Sequence, residues 1–596
     1  MRIKWIKLLA ILLVFGLVAA ACGDSDDDNA DSGSTGTTAA ATTDETTAAT
    51  DAPTTAPPAT VSDTQATTTT EAGEVITYGG VITIGLEAEA TGLRPWEDAC
   101  ASPCYNIMRS IYDLLFEIDA DFQPTPWLAE SVVTNDDFTE YVVTLRSGIL
   151  FHNGVAVSAQ TIADMFPIQQ EGAVGAGAVA AAGLVSVEAT GDLEVTYTLG
   201  AGNSAFLAYL TRAPLGMVFE PAEAVADPDG YSINPIGSGP FVIAKRDIDN
   251  ETTVVRNDEY WQSDRDGNQL PYLDSINFRP IPDEGTRLSS LISGTTNALQ
   301  TLRQGTIRDA RDAGGLILYE FQGNNSGGGM FNVLVPPFDD VRVRKGLTLL
   351  NNQDSVIDAL GGTGISLPGR QWFSPDSPWY SQEAADGWID FDIPAGTALL
   401  QEYIDDPGRS DGKAAGENID VELSCPPDPT LVAAMQVLQA VWDSTGLVTT
   451  ELTAFDQATH INNALGLENG FVGTHQAHCW RWSSDDDPAL SLNSAFGAPT
   501  PELAEELGIP FSATNFSNYA TAELYQLLVD AINTDVFEER YALYEQVSFI
   551  LNEEVPIWFS GHTATLIATS EGITGFTGWE TPDRVLGAGH PASEAR

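Results

Sequence analysis

The spacing of apolar positions divides the chain into three stretches. An apolar run fills residues 8–18, residues 23–74 are almost wholly Thr, Ala, Asp, Ser, Pro and Gly, and helix and strand periods begin only near residue 75. In that third stretch, Val75, Ile76, Val81, Ile82 and Ile84 around Gly79-Gly80 predict an entering strand or strand pair over 74–86. Residues 106–116 carry Ile107, Ile111, Leu114 and Leu115 at helical spacing. Period-two alternation predicts strands over 141–146 and 191–199, whereas 173–183, nearly all Ala, Gly and Val, is weakly specified. Gly237-Ser-Gly-Pro240 reads as a tight turn between domains, because glycine tolerates positive φ and proline stiffens the exit. Asp339 or Asp340 is placed to cap a helix through Val341, Leu347 and Leu350, and Asn352 to cap the next turn.

Further on, a strand over 419–425, a helix over 430–445 with Leu431, Met435, Leu438 and Trp442 inward, and a strand over 447–452 make a parallel α/β unit. Residues 471–479 add another strand. Helices over 521–532 and 535–551 follow, the second opened by Asp535 and Glu538 as a capping-box-like pair. Strands over 556–559 and 563–568 close the chain's folded part.

Composition changes this picture. With 596 residues, 43% of them hydrophobic, the chain exceeds what one core can hold, about 250–300 residues. The 84 acidic side chains against 26 Lys and Arg give a net charge of −58, which excludes nucleic acid as a partner and implies a strongly solvated surface. Arg2, Lys4 and Lys7, the apolar run, and Ala19-Ala20-Ala21 before Cys22 form an export signal over 1–21. The run is shorter than the ~20 residues a spanning helix needs. The pattern resembles a bacterial lipoprotein signal, which implies lipid on Cys22 and an extracytoplasmic chain anchored to the membrane. Residues 22–74 cannot bury enough surface to fold and read as a flexible tether. Four cysteines remain, and an oxidising compartment favours pairing: Cys100 with Cys104 across a single turn, and Cys425 then with Cys479.

The candidate chemistry concentrates in residues 471–488. If the strands above are parallel, Cys425 and Cys479 both stand at carboxyl ends, outside which ligands sit in open α/β sheets. Trp480, Arg481 and Trp482 follow at once, and then an acid-rich run. Two indoles flanking a guanidinium are costly to leave half wet, so this stretch is expected to form one wall of a ligand cleft. Trp372-Phe373 in a Pro-rich loop, and Arg94 with Trp96, are secondary wall candidates. His475 and His478, next to Cys479, make the one metal-like cluster, but on a strand positions 475 and 478 face opposite sides and Cys479 is better used in a disulfide, so no metal is expected. No catalytic constellation of the His-Glu-x-x-His, Gly-x-Ser-x-Gly or Gly-Lys-Ser/Thr kind occurs, so neither enzyme activity nor a cofactor is expected.

Several blocks in order resemble one family: YDLLFEIDADFQP (112–124), WLAES (127–131), LRSGILFHNG (145–154), PIGSGPF (235–241), RNDEYW (256–261), PYLDSINFR (271–279) and PPFDDVRVR (336–344). They resemble the family 5 extracellular solute-binding proteins, the dipeptide and oligopeptide receptors of ATP-driven importers. The resemblance implies a two-lobed α/β fold with mixed sheets and an extra subdomain in the first lobe. On that fold, 75–105, 233–322 and 554–596 form lobe I, 106–232 the extra subdomain, and 323–553 lobe II. It implies a monomer that captures a peptide or other small solute and delivers it to ABC permease subunits. Nickel, sugar, opine and haem are the other solutes such proteins carry, and an exported hydrolase is the alternative from another class. In the family a Trp-x-x-Asp segment followed by Asp-Pro borders the pocket, and its acid is implied to hold a peptide's amino group. Trp482-Ser-Ser-Asp485 with Asp487-Pro488 matches this with one residue fewer between them. Sliding the match puts Ser484 in the acid's place. Where the family has an acid-base pair, this chain has Asn352-Gln353.

Overall fold

The computed structural model describes residues 77–576, apart from 99, 101, 120, 121, 265, 467, 468 and 481–486. The chain enters at β1 (Val81–Leu86), whose Ile82, Ile84 and Leu86 are buried. The next helix runs Ser102–Ile111, earlier than its apolar spacing predicts. Leu114 and Leu115 are buried in extended chain instead, because the amides of Leu115 and Phe116 bond to the carbonyls of Gly216 and Leu210, and Val218 bonds back to Asp113. A distant segment thus takes the backbone groups that a longer helix would need.

A short ladder, β2 (Phe116–Ile118) with β3 (Pro124–Pro126), leads into β4 (Ala129–Thr134) and β5 (Glu140–Leu145). With β6 (Leu184–Ala189) and β7 (Glu194–Leu199) these form an antiparallel sheet in the order β4-β5-β7-β6. Helix Ala159–Glu171 packs on it, opened by a Ser158/Thr161 capping box. The weakly specified stretch holds the helix Gly175–Ala181, with Ala178 and Val179 buried. At 237–240 the glycines do not take positive φ. They are needed for close approach: a Cβ on Gly237 or Gly239 would meet the Ile111 carbonyl oxygen at 2.1 or 2.6 Å.

Strands β8 (Phe241–Asp247), β9 (Glu251–Arg256), β10 (Ser275–Pro280) and β11 (Ala298–Thr301) belong with β1. After them come β12 (Leu316–Phe331), β13 (Ile419–Cys425), β14 (Val448–Ala454), β15 (Ala477–Trp480) and β16 (Ile557–Ser570). All nine and β1 make one sheet in the order β14-β13-β15-β12-β16-β11-β1-β10-β9-β8. β1 is parallel to β10 and β11, β13 is parallel to β14 and β15, and the other pairs are antiparallel. The expected unit of strand, helix (Pro429–Ser444) and strand is therefore present and parallel.

The fold is two-lobed. One core is drawn mostly from residues 82–278 and includes the four-stranded sheet; the other is drawn from 330–559. β16, expected as two strands, is continuous, and with β12 it serves both lobes. Toward lobe I it pairs with β11 through 566–569, and toward lobe II β12 pairs with β15 through 328–331. The β12–β16 register shifts between Gln322 and Ser326 and again between Gly327 and Gly328.

Helix Val341–Leu349 is capped by Asp340, whereas Asp339 accepts from the Ser410 hydroxyl. Asn352 caps Gln353–Ala359, and Gln353 donates to the carbonyls of Gly369 and Phe559, a neutral brace where the family has an ion pair. The Asp535/Glu538 capping pair does not form. The helix begins at Phe537 with Val536 in the cap position, and the Thr534 hydroxyl accepts from the Val536 amide and donates to Glu539.

Where β12 meets β16, a Cβ on Gly329 would lie 2.1 Å from the buried Trp558 ring. Gly329→Ala is expected to lower unfolding stability by about 1–3 kcal/mol through overpacking. Gly285→Ala, whose Cβ would meet nothing nearer than 3.7 Å, should be neutral or slightly stabilising; urea denaturation of both variants checks the pair.

Candidate ligand cleft

β15 is four residues long because the chain before it is a loop. Gly470 and Phe471 take φ of 65° and 69°, and the buried Asn332 amide gathers the carbonyls of Gly473 and His475. The strand then slots between β13 and β12, which brings Cys425 and Cys479 side by side, bonded, with Cα atoms 5.2 Å apart. Both stand at the carboxyl ends of neighbouring parallel strands. Cys100 and Cys104 are likewise bonded, with Cα atoms 5.4 Å apart.

Because His475 precedes the strand, it does not face away from His478. Their ring centroids are 4.7 Å apart, and His460, from helix Gln457–Leu465, stacks on His478 at 3.6 Å. Trp480 stacks beyond both and packs against Phe516. All three imidazoles are buried. His478 Nδ1 pairs with the Ser424 hydroxyl at 3.0 Å, His460 Nε2 with the Cys479 carbonyl at 3.1 Å and His475 Nδ1 with the Asn463 carbonyl at 3.4 Å. Burial pushes His460 and His475 down to about 4 and holds His478 well below the usual imidazole range, with neighbouring imidazoles adding to the effect on His460 and His478. The stack is therefore neutral at pH 7. Among the described residues no group of three or more His, Cys, Asp and Glu is placed to hold a metal ion.

Of the expected wall, Trp480 is half-buried on the histidine stack, while Arg481, Trp482, Ser484 and Asp485 lie outside the described residues. Their far flank is anchored. Asp487 accepts two hydrogen bonds from Arg540, at 2.7 and 2.8 Å, and caps the turn Pro488–Leu490. Arg540 lies over the Trp379 and Tyr544 rings. Burial works against its charge, but Asp487 and Tyr544 hold its pKa above the ordinary arginine value. Apolar spacing could not reveal this pair; its one trace in the sequence is an arginine on the inward face of a helix.

Of the secondary candidates, Trp372, Phe373 and Trp96 are buried and Arg94 is half-buried. Trp372 and Phe373 are 1% and 2% exposed in the lobe II core, edge-on to Phe496 and Tyr544, and the Trp372 carbonyl accepts from the Ser326 amide on β12. Arg94 is paired within its own loop to Asp98 at 2.7 Å. Trp96 is buried against Phe219 and Tyr231.

A two-lobed mixed α/β molecule with a braced strand end between its cores has the build of an extracytoplasmic binding protein. Residues 123–502 match the model of the bacterial extracellular solute-binding proteins, family 5 Middle, and the chain belongs to that family. It is 24% identical over 507 residues to the dipeptide-binding protein of Escherichia coli K12, covering 80% of this chain and 87% of that one. The oligopeptide-binding protein AppA of Bacillus subtilis, solved with a nonapeptide, shares the fold with a TM-score of 0.68 at 19% identity, over 88% of this chain and all of that one (100%). The binding protein AgaA of A. tumefaciens R10, solved with agropinic acid, does so with a TM-score of 0.70 at 19% identity, over 87% and 98%.

The histidine stack yields a pH dependence. With folded-state values near 4 for His460 and His475 against about 6.5 unfolded, the unfolded chain binds protons first. The stack's contribution is full above pH 6.5 and falls as pH drops toward 4. Losing negative charge favours the fold over the same range, so the comparison must be with a variant. Between pH 7 and 5 the wild type should lose more stability in urea than His460→Phe does.

Proposed function

We propose that this chain captures a peptide or similar small solute between its lobes and delivers it to the permease of an ABC importer, tethered outside the membrane by lipid on Cys22. Family membership supports the capture role. The observation that carries the site is the anchoring of Cys479 by its disulfide and Trp480 on the histidine stack, at the carboxyl ends of parallel strands where α/β sheets bind ligands, together with that of Asp487 on Arg540. On this reading Trp480, Arg481 and Trp482 line the solute's path and Asp485, or Ser484 in its place, meets the amino group. A carboxylate facing an ammonium in a closed, low-dielectric cleft is a strong charge-assisted pair. Backbone groups bind the ligand's main chain, and water fills pockets around varied side chains. The E. coli and B. subtilis relatives, named for dipeptides and oligopeptides, favour a peptide. The agropinic acid complex of AgaA keeps an opine as the second reading.

Tri-alanine and its N-acetylated form separate these readings in a thermal-shift assay. A peptide receptor is stabilised by about 2.7 kcal/mol at 100 times the dissociation constant of the free-amine peptide and less by the acetylated one. Asp485→Ala should remove most of that difference, and no response to either peptide favours the opine reading. For the anchor, Cys22→Ser should move the protein from the membrane fraction to the soluble fraction of the producing cell.

A further inference from the structure

Two helix starts face each other across the lobes. Arg303 lies just past lobe I's β11 and precedes helix Gln304–Ala313; Asp428 follows lobe II's β13 and caps helix Pro429–Ser444. Arg303 Nη1 lies 3.1 Å from Asp428 Oδ2, with both side chains about three-quarters buried. We propose that this ion pair is a latch between the lobes that sets the balance of closed and open forms.

Each partner has a second set of contacts inside its own lobe. Asp428 Oδ1 accepts from the amides of Thr430 and Leu431, leaving Oδ2 to the guanidinium. Arg303 Nε lies 3.7 Å from Glu284 of lobe I. When the lobes part, the carboxylate keeps its helix amides and the guanidinium keeps its own acid. Neither charge is stranded, which is what a reversible contact requires. The charged groups acting on Arg303 are Glu87, Glu284 and Arg287 from lobe I and Asp428 from lobe II. Burial opposes its charge, and the three acids more than offset that. In a chain with 84 acids and 26 Lys and Arg, apposed lobe faces tend to repel each other, and a cation between acids of both lobes counters this. Other inter-lobe contacts run to backbone carbonyls: the Ser204 amide and hydroxyl donate to Ile532 and Thr534, both at 2.7 Å, the Tyr209 hydroxyl to Ala489, and the Arg308 and Arg311 guanidinium groups to Gly361 and Gly364 at 3.4 and 2.7 Å. Among these contacts Arg303 and Asp428 set opposite full charges against each other across the lobes. This goes beyond the solute-binding reading and does not depend on the ligand's identity.

Spin labels on Ile292→Cys and Glu505→Cys, both at exposed positions on opposite lobes, report inter-lobe distances in the full unliganded chain by pulsed electron resonance. The latched form appears as a short-distance population. Arg303→Ala should reduce its ratio to the long-distance form about threefold, the scale of a partly exposed ion pair. Asp428→Asn, which retains a cap oxygen, should do the same, and the double variant should go no further than either single one. Raising NaCl to about 1 M screens the repulsion between the acidic faces in both proteins but the attraction of the pair only in the wild type, so the difference in short-distance population between wild type and Arg303→Ala should shrink. Arg342→Ala, which breaks an ion pair within lobe II, serves as the control and should not shift the distances. A wild type with no short-distance population, single variants with wild-type distances, or additive effects in the double variant would each overturn the latch.

Discussion

The pairing of β12 with β16 is the constraint on which both lobes depend. β16 hydrogen-bonds to β11 on the β1 side of the sheet and β12 to β15 on the β13–β14 side, so the two halves of the sheet meet through this pair. Such a pair must be continuous for backbone satisfaction, yet also allow the two ends to twist apart. The register shifts at Gln322–Ser326 and Gly327–Gly328 supply that break, with Ser326 bonded to the carbonyls of Gln371 and Trp372 where the ladder is interrupted. Gly328 and Gly329 let the chain lie directly on Trp558 of the partner strand. Trp372 is therefore buried for a reason: it seats the crossing.

The second organising feature is the use of scarce positive charge. In a chain of net charge −58, an arginine on the surface would do little against so many acids. Several are instead drawn inward, where they clasp neighbouring or distant segments. Arg109 meets Glu117, Arg287 holds the carbonyls of Ile281 and Pro282 beside Glu87, Arg344 bonds the Phe338 and Glu554 carbonyls, and Arg540 fixes Asp487. Removing one partner of such a buried pair strands the other at a cost of about 3–5 kcal/mol, so these pairs specify geometry more than they add net stability. The acids left over solvate the exterior.

Much of the fold was legible because local pattern and tertiary packing agree. The alternation of 419–425 and 447–452 with an inward helix between them could become little other than a parallel unit, and β13, the Pro429–Ser444 helix and β14 are that unit. Agreement failed where a remote segment competed for the same backbone: the helix at 102–111 stops where residues 210–218 claim the amides and carbonyls beyond it. It failed again at His475 and His478, where counting along an assumed strand put the rings on opposite faces, and a loop ordered by Asn332 brought them together.

By itself the sequence determined the periods of the elements, the acidic exterior, the run of family blocks and the stretch where large planar side chains gather after Cys479. These are local or compositional properties, and they survive whatever the chain does elsewhere. Only the tertiary structure decided that Trp372, Phe373 and Trp96 are buried, that Arg94 pairs with Asp98, that Asp487 belongs to Arg540 and that Arg303 meets Asp428. Those partners lie 53 and 125 residues apart along the chain, or depend on which side of a wall a side chain is buried. No spacing rule carries that information, because burial and long-range pairing are set by the closing of the sheet around β12 and β16.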